Sequence, residues 1–384
     1  MKNIYLDNGA TSFPKPKCVA EAMLHYITEV GANIGRGGYE EATQAEEVVF
    51  ETRERIQILF NAPDSKNVIF TQNITQSLNM IIKGYLKPGD HILVSAMEHN
   101  AVMRPLIQLE KIGVRFDRIP CNIKGQLMIE HIQPMILPET KAILLMHASN
   151  VCGSIMPIEQ VGEICKRNGL KFIVDAAQTA GVIPIDMKSM NIDILTFTGH
   201  KSLMGPQGIG GFVIVDELIN EIEPLISGGT GSISNSEEMP TFLPDRYEAG
   251  TMNIPGIYGL HASVGYIMQT GLPVIHAKEM LLTQAFMKGL SEIKGVRCIG
   301  PGADDERTSV VSIQVDKMDI AELAYRLDSE YGIKTRVGLH CSPNAHKTLN
   351  TYPVGTLRFS FGYFNKPEDV DHTLMAIEKV LYGI

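Results

Sequence analysis

The residue that first suggests chemistry is Lys201, in the stretch Thr198-Gly-His-Lys201-Ser-Leu-Met-Gly-Pro-Gln-Gly. An apolar run, Ile194, Leu195 and Phe197, precedes it, and a second run, Phe212-Val-Ile-Val215, follows the glycine-rich turn. Both have the short, continuous apolar character of buried strands. A lysine between buried strands is unusual, because burial of an unpaired ammonium is costly. Burial also lowers the amine's pKa, which frees it to attack a carbonyl. The plain alternative is a surface lysine at a hairpin tip.

Asp175 closes the run Phe172-Ile-Val-Asp175 and is followed by Ala-Ala-Gln178. Read alone it would be a helix N-cap. A carboxylate at a strand's C-terminal end, with a poised lysine about 25 residues later, also suits pyridoxal phosphate. That cofactor's aldehyde takes a lysine, and its ring nitrogen needs an anion to stay protonated. A phosphate would need backbone N–H groups at a helix start together with hydroxyl donors. Gln72-Asn-Ile-Thr75-Gln-Ser77 offers both, and Thr198 and His200 could add two donors; ordinary capping by Thr75 is compatible with that role. His99, in Met97-Glu-His-Asn100, follows another strand and could lie against a cofactor ring in one layer with Asn150, Asp175 and Gln178.

These residues require a scaffold of strands with polar C-terminal ends. The sequence predicts strands over 67–71, 91–94, 114–117, 141–146 and 171–174, and helices over 75–83, 101–112 and 158–168, besides the two strands flanking Lys201. Apolar strands linked by helices argue for a mainly parallel sheet covered on both faces. Ligands bind at the C-terminal strand ends of such sheets. Residues 1–16, with Pro14 and Pro16, read as an extended arm, followed by helices over 17–30 and 40–60. The segment Asn33-Ile-Gly-Arg-Gly-Gly38 reads as a loop, and 227–254 as a long functional loop. A long helical region is expected over 256–293. A smaller α/β segment follows, with strands over 309–315, 334–337 and 356–360 and helices over 320–331 and 367–381. The expected division is an arm (1–16) packing with the small domain, a large cofactor-binding domain (17–255), and a linking helix with a small C-terminal domain (256–384).

The chain has 384 residues, 44% hydrophobic and 20% charged, and a net charge of -9. Nothing in that balance favours nucleic acid or an anionic membrane as partner. No apolar run reaches the roughly 18 residues of a bilayer span. The N-terminus runs straight into a strand-like pattern, so no signal peptide is read and a cytoplasmic protein is expected. Cys18, Cys121, Cys152, Cys165, Cys298 and Cys341 are scattered, suggesting neither a disulfide framework nor a zinc site. A buried structural thiol is the ordinary reading for any of them. Cys341 differs in its neighbours, Arg336, His340, His346 and Lys347, a setting that could favour thiolate. Cys152, just after Asn150, is the other cysteine near the expected site.

The motifs Leu6-Asp-Asn-Gly-Ala-Thr, Met97-Glu-His99, His147-Ala-Ser-Asn150-Val, Asp175-Ala-Ala-Gln178, Thr198-Gly-His-Lys201, Glu248-Ala-Gly-Thr251, Arg336-Val-Gly-Leu-His-Cys341 and Leu357-Arg358-Phe-Ser occur in this order. Together, and nearly end to end, the sequence resembles the class V, fold-type I aminotransferases, and within them the group II cysteine desulfurases and selenocysteine lyases. The resemblance implies a large doubly wound, mainly parallel seven-stranded domain, a smaller α+β domain, and a homodimer binding pyridoxal 5'-phosphate. It further implies that Lys201 forms the Schiff base, Asp175 pairs the pyridine nitrogen, Gln178 bonds the phenolic oxygen, and His99 stacks on the ring. Thr75, Thr198 and His200 would hold the phosphate, joined by Thr251 of the second subunit. Arg358 would clamp the substrate carboxylate in a bidentate pair, with Asn150 orienting the substrate and Arg336 nearby. The implied reaction takes L-cysteine to alanine and leaves a persulfide on Cys341, for a sulfur or selenium acceptor protein. Open alternatives are a selenocysteine lyase acting on L-selenocysteine, a class V aminotransferase, a cysteine or cystine β-lyase, and a sulfur carrier or scaffold without catalysis. The sequence departs from the family pattern at Asn73, where Gly is usual, at Leu339, where a second His is common, in the loop Gly35-Arg-Gly-Gly38, which lacks the His often seen before that Arg, and in Ser-Pro-Asn-Ala-His-Lys after Cys341.

Overall fold

A computed structural model describes residues 3–35, 37–233 and 235–383, so Arg36 of the glycine-rich loop and the first two residues of the arm lie outside it. The chain opens with the two-residue strand β1 (Ile4–Tyr5), then α1 (Lys17–His25) and α2 (Glu40–Phe60). The first helix runs on into a π-helical turn over Tyr26–Val30 and stops at Gly31, whose left-handed backbone (φ 57) suits glycine.

The next segment contains β2 (Val68–Thr71), α3 (Ile74–Tyr85), β3 (His91–Ser95), α4 (Asn100–Glu110), β4 (Arg115–Ile119), the short α5 (Ile132–Met135) and β5 (Thr140–Met146). It continues with α6 (Ile158–Asn168), β6 (Lys171–Asp175), β7 (Ile194–Thr198) and β8 (Gly210–Ile214). These strands form a seven-stranded sheet of order β2-β8-β7-β6-β5-β3-β4. β4, β3, β5, β6 and β7 are parallel, while β8 is antiparallel to both β7 and β2. The expected α/β, mainly parallel architecture is therefore observed. One face packs on Val49, Ile56, Ile257 and Val264 of the helical layer, the other on Leu78, Ile81, Val102 and Leu106. Burial on both faces explains why the strands read as continuous apolar runs rather than alternating ones.

One boundary differs from expectation. Gly210 and Gly211, read as part of the turn after Lys201, belong to β8. A Cβ on Gly211 would lie 2.3 Å from the Ile69 carbonyl oxygen, so glycine is what lets β8 approach β2.

The remainder comprises α7 (Ile254–Thr270), α8 (Leu272–Glu292), β9 (Val296–Ile299), β10 (Val310–Val315), α9 (Ile320–Tyr331), β11 (Ile333–Lys334), β12 (Arg336–Gly338), α10 (Pro343–Thr348), β13 (Thr356–Ser360) and α11 (Pro367–Tyr382). The helical region expected as continuous breaks at Gly271 (φ 88), with Pro273 starting the second helix. An antiparallel sheet of order β12-β13-β10-β9 packs its apolar side chains with Leu282, Phe286, Leu323, Leu327 and Ile377. The arm joins this cluster: Ile4 and Leu6 are buried in it, and β1 pairs with β11. Among the described residues, no helix is long and apolar enough to cross a membrane.

Candidate active site

The last residues of β3, β5, β6 and β7 are Ser95, Met146, Asp175 and Thr198. The parallel strands thus end on one edge of the sheet, and the polar side chains that follow gather there. A cavity of about 140 Å³ opens at this edge, and its lining includes Thr75, His99, Asn150, Asp175, Gln178, Thr198, His200 and Lys201. Eight residues predicted from sequence to serve one site therefore meet. Thr251 is apart from them, exposed on a separate cleft with Gln72, Gln76 and Glu248.

Lys201 sits in the turn after β7, where the Met204 N–H bonds its carbonyl at 2.8 Å and Gly205 N–H bonds the Gly199 carbonyl at 2.7 Å. Burial brings its amine down to about 8, opposed by Asp175 and assisted by Arg358 and Arg336. A substantial neutral fraction near physiological pH is what a carbonyl-attacking amine requires. The peptide before it is anchored by the arm: the His200 carbonyl accepts from Ser12 N–H (2.9 Å), Thr11 Oγ1 (3.0 Å) and Lys15 Nζ (2.8 Å).

Asp175 is buried, and Oδ1 accepts the Ala177 N–H at 2.9 Å. The helix N-cap reading is corrected: Oδ1 caps a turn, since turns rather than a helix follow. Burial raises its pKa, against the pull of the Ala177 N–H and Lys201. A cation placed in the cavity would restore the carboxylate. His99 caps α4, its Nδ1 accepting the Ala101 N–H at 3.0 Å. That bond leaves the ring proton on Nε2, and burial, with Lys201 and Arg104 nearby, lowers the pKa to about 4. The cavity therefore presents a neutral imidazole. Behind it Glu98 is buried, pushed up to about 8 by burial, and accepts from Ser95 Oγ and the Met146 N–H. It ties the ends of β3 and β5 together.

At the other end of the cavity, Asn73 Oδ1 caps α3 through the Gln76 N–H (3.0 Å), and Thr75 follows in the first turn. The residue that departs from the family pattern is thus a sound N-cap. Thr198 Oγ1 and His200 Nδ1 are buried with no hydrogen-bond partner among the described residues. Two orphaned polar atoms beside a helix N-terminus and a depressed lysine fit a phosphorylated aldehyde, a group that would need an anion site at the helix start and an amine within reach.

Cys341 is exposed and sits in a turn in which His340 (φ 48) and Cys341 (φ 58) both adopt left-handed backbone. Asn150 holds this turn: its Nδ2 donates to the His340 carbonyl at 2.7 Å, and its Oδ1 accepts from Ser342 Oγ at 2.9 Å. The Asn100 N–H bonds the Cys341 carbonyl at 2.8 Å. Cys341 also shares a groove with His99, Thr75 and Arg104. The expectation that His340 and His346 supply positive charge to the thiol is corrected. Both are buried and neutral, at about 2 and about 4, because burial disfavours their charged forms. Their rings bond Thr356 and Thr351 hydroxyls instead. Cys152 is buried against Ser154 and the Lys124 carbonyl, a structural position.

Arg358, on β13, is buried at 2% exposure. Its Nη1 donates to the Asn150 carbonyl (2.9 Å) and its Nη2 to Asp7 Oδ1 (2.7 Å). Arg336 is its register partner on β12, more exposed and 3.8 Å from Asp7. Neither arginine was matched to Asp7 from sequence, although Asp7 stands inside the Leu6-Asp-Asn-Gly-Ala-Thr motif. Ser342 and Lys15 were likewise missed, since their bonds depend on turns that bring together distant segments.

The aminotransferase class-V family model matches residues 4–373. A probable cysteine desulfurase of Pyrococcus abyssi is 35% identical over 99% of this chain and 95% of its own length. One of Vibrio cholerae is 33% identical over 98% and 93%. The apo structure of a cysteine desulfurase from Thermococcus onnurineus superposes with a TM-score of 0.93 at 34% identity, covering 100% of this chain and 95% of that one. An Escherichia coli cysteine desulfurase structure gives 0.90 at 28% identity, over 100% and 95%.

Proposed function

This chain belongs to the class-V aminotransferase family, and from that premise we propose that it is a pyridoxal-phosphate-dependent cysteine desulfurase. The observation carrying the proposal is the shared edge of the sheet. There a buried lysine at about 8, a buried carboxylate and orphaned hydroxyl and imidazole atoms line one cavity, with an exposed thiol in the adjoining groove. The relatives and structures named cysteine desulfurase support the choice of reaction.

Lys201 would hold the cofactor's aldehyde through Nζ, Asp175 its ring nitrogen, Gln178 its phenolic oxygen, and Thr75, Thr198 and His200 its phosphate. When bound, pyridoxal phosphate supplies an electron sink that makes the bonds around a substrate's α- and β-carbons labile. Asp175, a buried carboxyl at the end of β6, would pair with the ring nitrogen and keep that sink protonated. His99, neutral with its proton on Nε2, would lie against the ring and offer one hydrogen-bond donor without adding charge. Lys201, its amine brought down to about 8 by burial, would move a proton from the substrate Cα. Arg358 receives the substrate carboxylate. Cys341 Sγ, as thiolate, would attack the substrate sulfur: the S–S bond forms as the Cβ–S bond breaks, and the electron pair of that bond goes to the carbon skeleton. Protonation at Cβ and Cα releases the skeleton as alanine while the persulfide stays on Cys341. A homodimer in which the partner subunit's Thr251 completes the phosphate site is part of the same reading, and explains why Thr251 faces a separate cleft here.

Products decide the assignment. With L-cysteine, purified enzyme should release alanine and, with a reductant, sulfide. Pyruvate with ammonia would indicate a β-lyase, and turnover that depends on an amino acceptor would indicate an aminotransferase. The same alanine assay with L-selenocysteine compares the two candidate substrates.

A further inference from the structure

Arg358 is poorly prepared for a new carboxylate. A guanidinium binds carboxylate in two-pronged fashion through Nε with Nη2 or through Nη1 with Nη2. Both faces include Nη2, the nitrogen that Asp7 already holds at 2.7 Å. Nη1 is taken by the Asn150 carbonyl, whereas Nε is buried with no acceptor among the described residues. The site thus contains one anion and one orphaned donor on the same buried cation. A second carboxylate beside Asp7 would meet like-charge repulsion in a poorly solvated place.

The escape route is visible on the neighbouring strand. Arg336 lies directly opposite Arg358 in the β12–β13 register, and its Nη1 is 3.8 Å from Asp7 Oδ2. Its side chain is 48% exposed, against 3% for Arg358 and 17% for Asp7. Asp7 therefore stands between a buried arginine and a solvated one, bonded to the first and leaning toward the second. The backbone around it is fixed, since the Leu6 carbonyl accepts the Ser360 N–H (2.7 Å) and Gly9 N–H bonds Ser360 Oγ (2.8 Å). Only the carboxylate needs to rotate.

We propose that Asp7 is a placeholder carboxylate that occupies Arg358 until an amino-acid carboxylate arrives and then transfers to Arg336. Asp7 thereby sets substrate affinity. This rests on the reading that Arg358 receives the substrate carboxylate, and it gives Arg336 the role of landing site for Asp7 in place of direct substrate contact. The exchange keeps Arg358 paired in both states, which matters because a buried unpaired charge is strongly destabilising.

The test compares holoenzyme of wild type, Asp7→Asn, Arg336→Gln and the double variant by calorimetric titration with L-alanine and by KM for L-cysteine. Asp7→Asn should tighten L-alanine binding and lower KM by about tenfold, the weight of one charge-assisted hydrogen bond. It should also melt lower when unliganded and gain more Tm from L-alanine than wild type does. Arg336→Gln should weaken binding, and should change nothing when added to Asp7→Asn. Unchanged or weaker binding in Asp7→Asn makes Asp7 a fixed support of Arg358 and overturns the proposal. So does an equal Arg336→Gln effect in both backgrounds, which would place Arg336 on the substrate. If Asp7→Asn does not fold, Asp7→Ser takes its place in the same comparison, and an unaltered Kd in Arg336→Gln overturns the proposal by itself, because it leaves Asp7 no landing site. Wild type that forms no alanine from L-cysteine fails the functional reading instead; normal wild-type turnover with unshifted variants fails this one.

Discussion

Replacing Ser342 by Ala should slow sulfur transfer without disturbing the cofactor site. The Ser342 hydroxyl is buried and donates to Asn150 Oδ1 at 2.9 Å, and Asn150 in turn holds the His340 carbonyl. Between these ties lie His340 and Cys341, both with positive φ. Each non-glycine residue in left-handed backbone costs roughly 1–2 kcal/mol, so the turn stores about 2–4 kcal/mol. The Ser342–Asn150 bond contributes about 1 kcal/mol net, and its loss strands a buried Asn150 oxygen at about 1–3 kcal/mol. Ser342→Ala thus removes about 2 kcal/mol of restraint from a turn under comparable strain, and Cys341 samples other orientations. A loss of 1.4 kcal/mol from the productive state is tenfold in rate, so kcat for alanine formation should fall by roughly 10- to 30-fold. KM for L-cysteine and the visible absorbance of bound cofactor should hold. Ser342→Thr, which keeps the hydroxyl, should recover most of the loss. Unchanged kcat, or a fall matched by loss of cofactor, would refute the claim that this bond positions the thiol.

Three further outcomes follow from the site. Lys201→Ala should abolish borohydride trapping of pyridoxal phosphate on the chain, read by mass spectrometry of the intact protein. In cofactor-free protein, Lys201 falls from its ordinary 10.5 to about 8, so the unfolded state binds more protons between those values and wild-type stability rises with pH there. The advantage of Lys201→Met over wild type in urea melts should therefore shrink across that window. Glu98 is raised from 4.5 to about 8, so wild-type stability falls as pH rises through that range, and the relative stability of Glu98→Gln should grow across it. A flat difference would mean that Glu98 is not neutral in the folded protein.

The cofactor end of the site was legible because its residues sit where strands stop. Asp175, Thr198 and the turn carrying Lys201 follow apolar runs whose ends show in the sequence, and in a parallel sheet those ends share one edge. Helix boundaries at Glu40–Phe60 and Ile158–Asn168 were equally plain, the latter ending at a left-handed Gly169. The substrate end was less so. Asp7 meets Arg358 across nearly the whole chain, through an arm with little periodicity. His340 and His346 look cationic in a sequence, yet burial decides their charge and no local pattern reports it. The helix Pro343–Thr348 and strand Val296–Ile299 went unread because each is too short to display a period. The fate of Asn150, committed by hydrogen bonds to the Cys341 turn, emerges only from the fold.

The central claim joins one lysine to one thiol through a single reaction, and the most direct measurement is on the thiol. After a single turnover with L-cysteine and no reductant, the peptide containing Cys341 should gain the mass of one sulfur atom, with alanine formed in equal amount. Cys341→Ala should lose both while retaining the cofactor on Lys201. Alanine formation that persists in Cys341→Ala, or added sulfur found on another cysteine, would contradict the account.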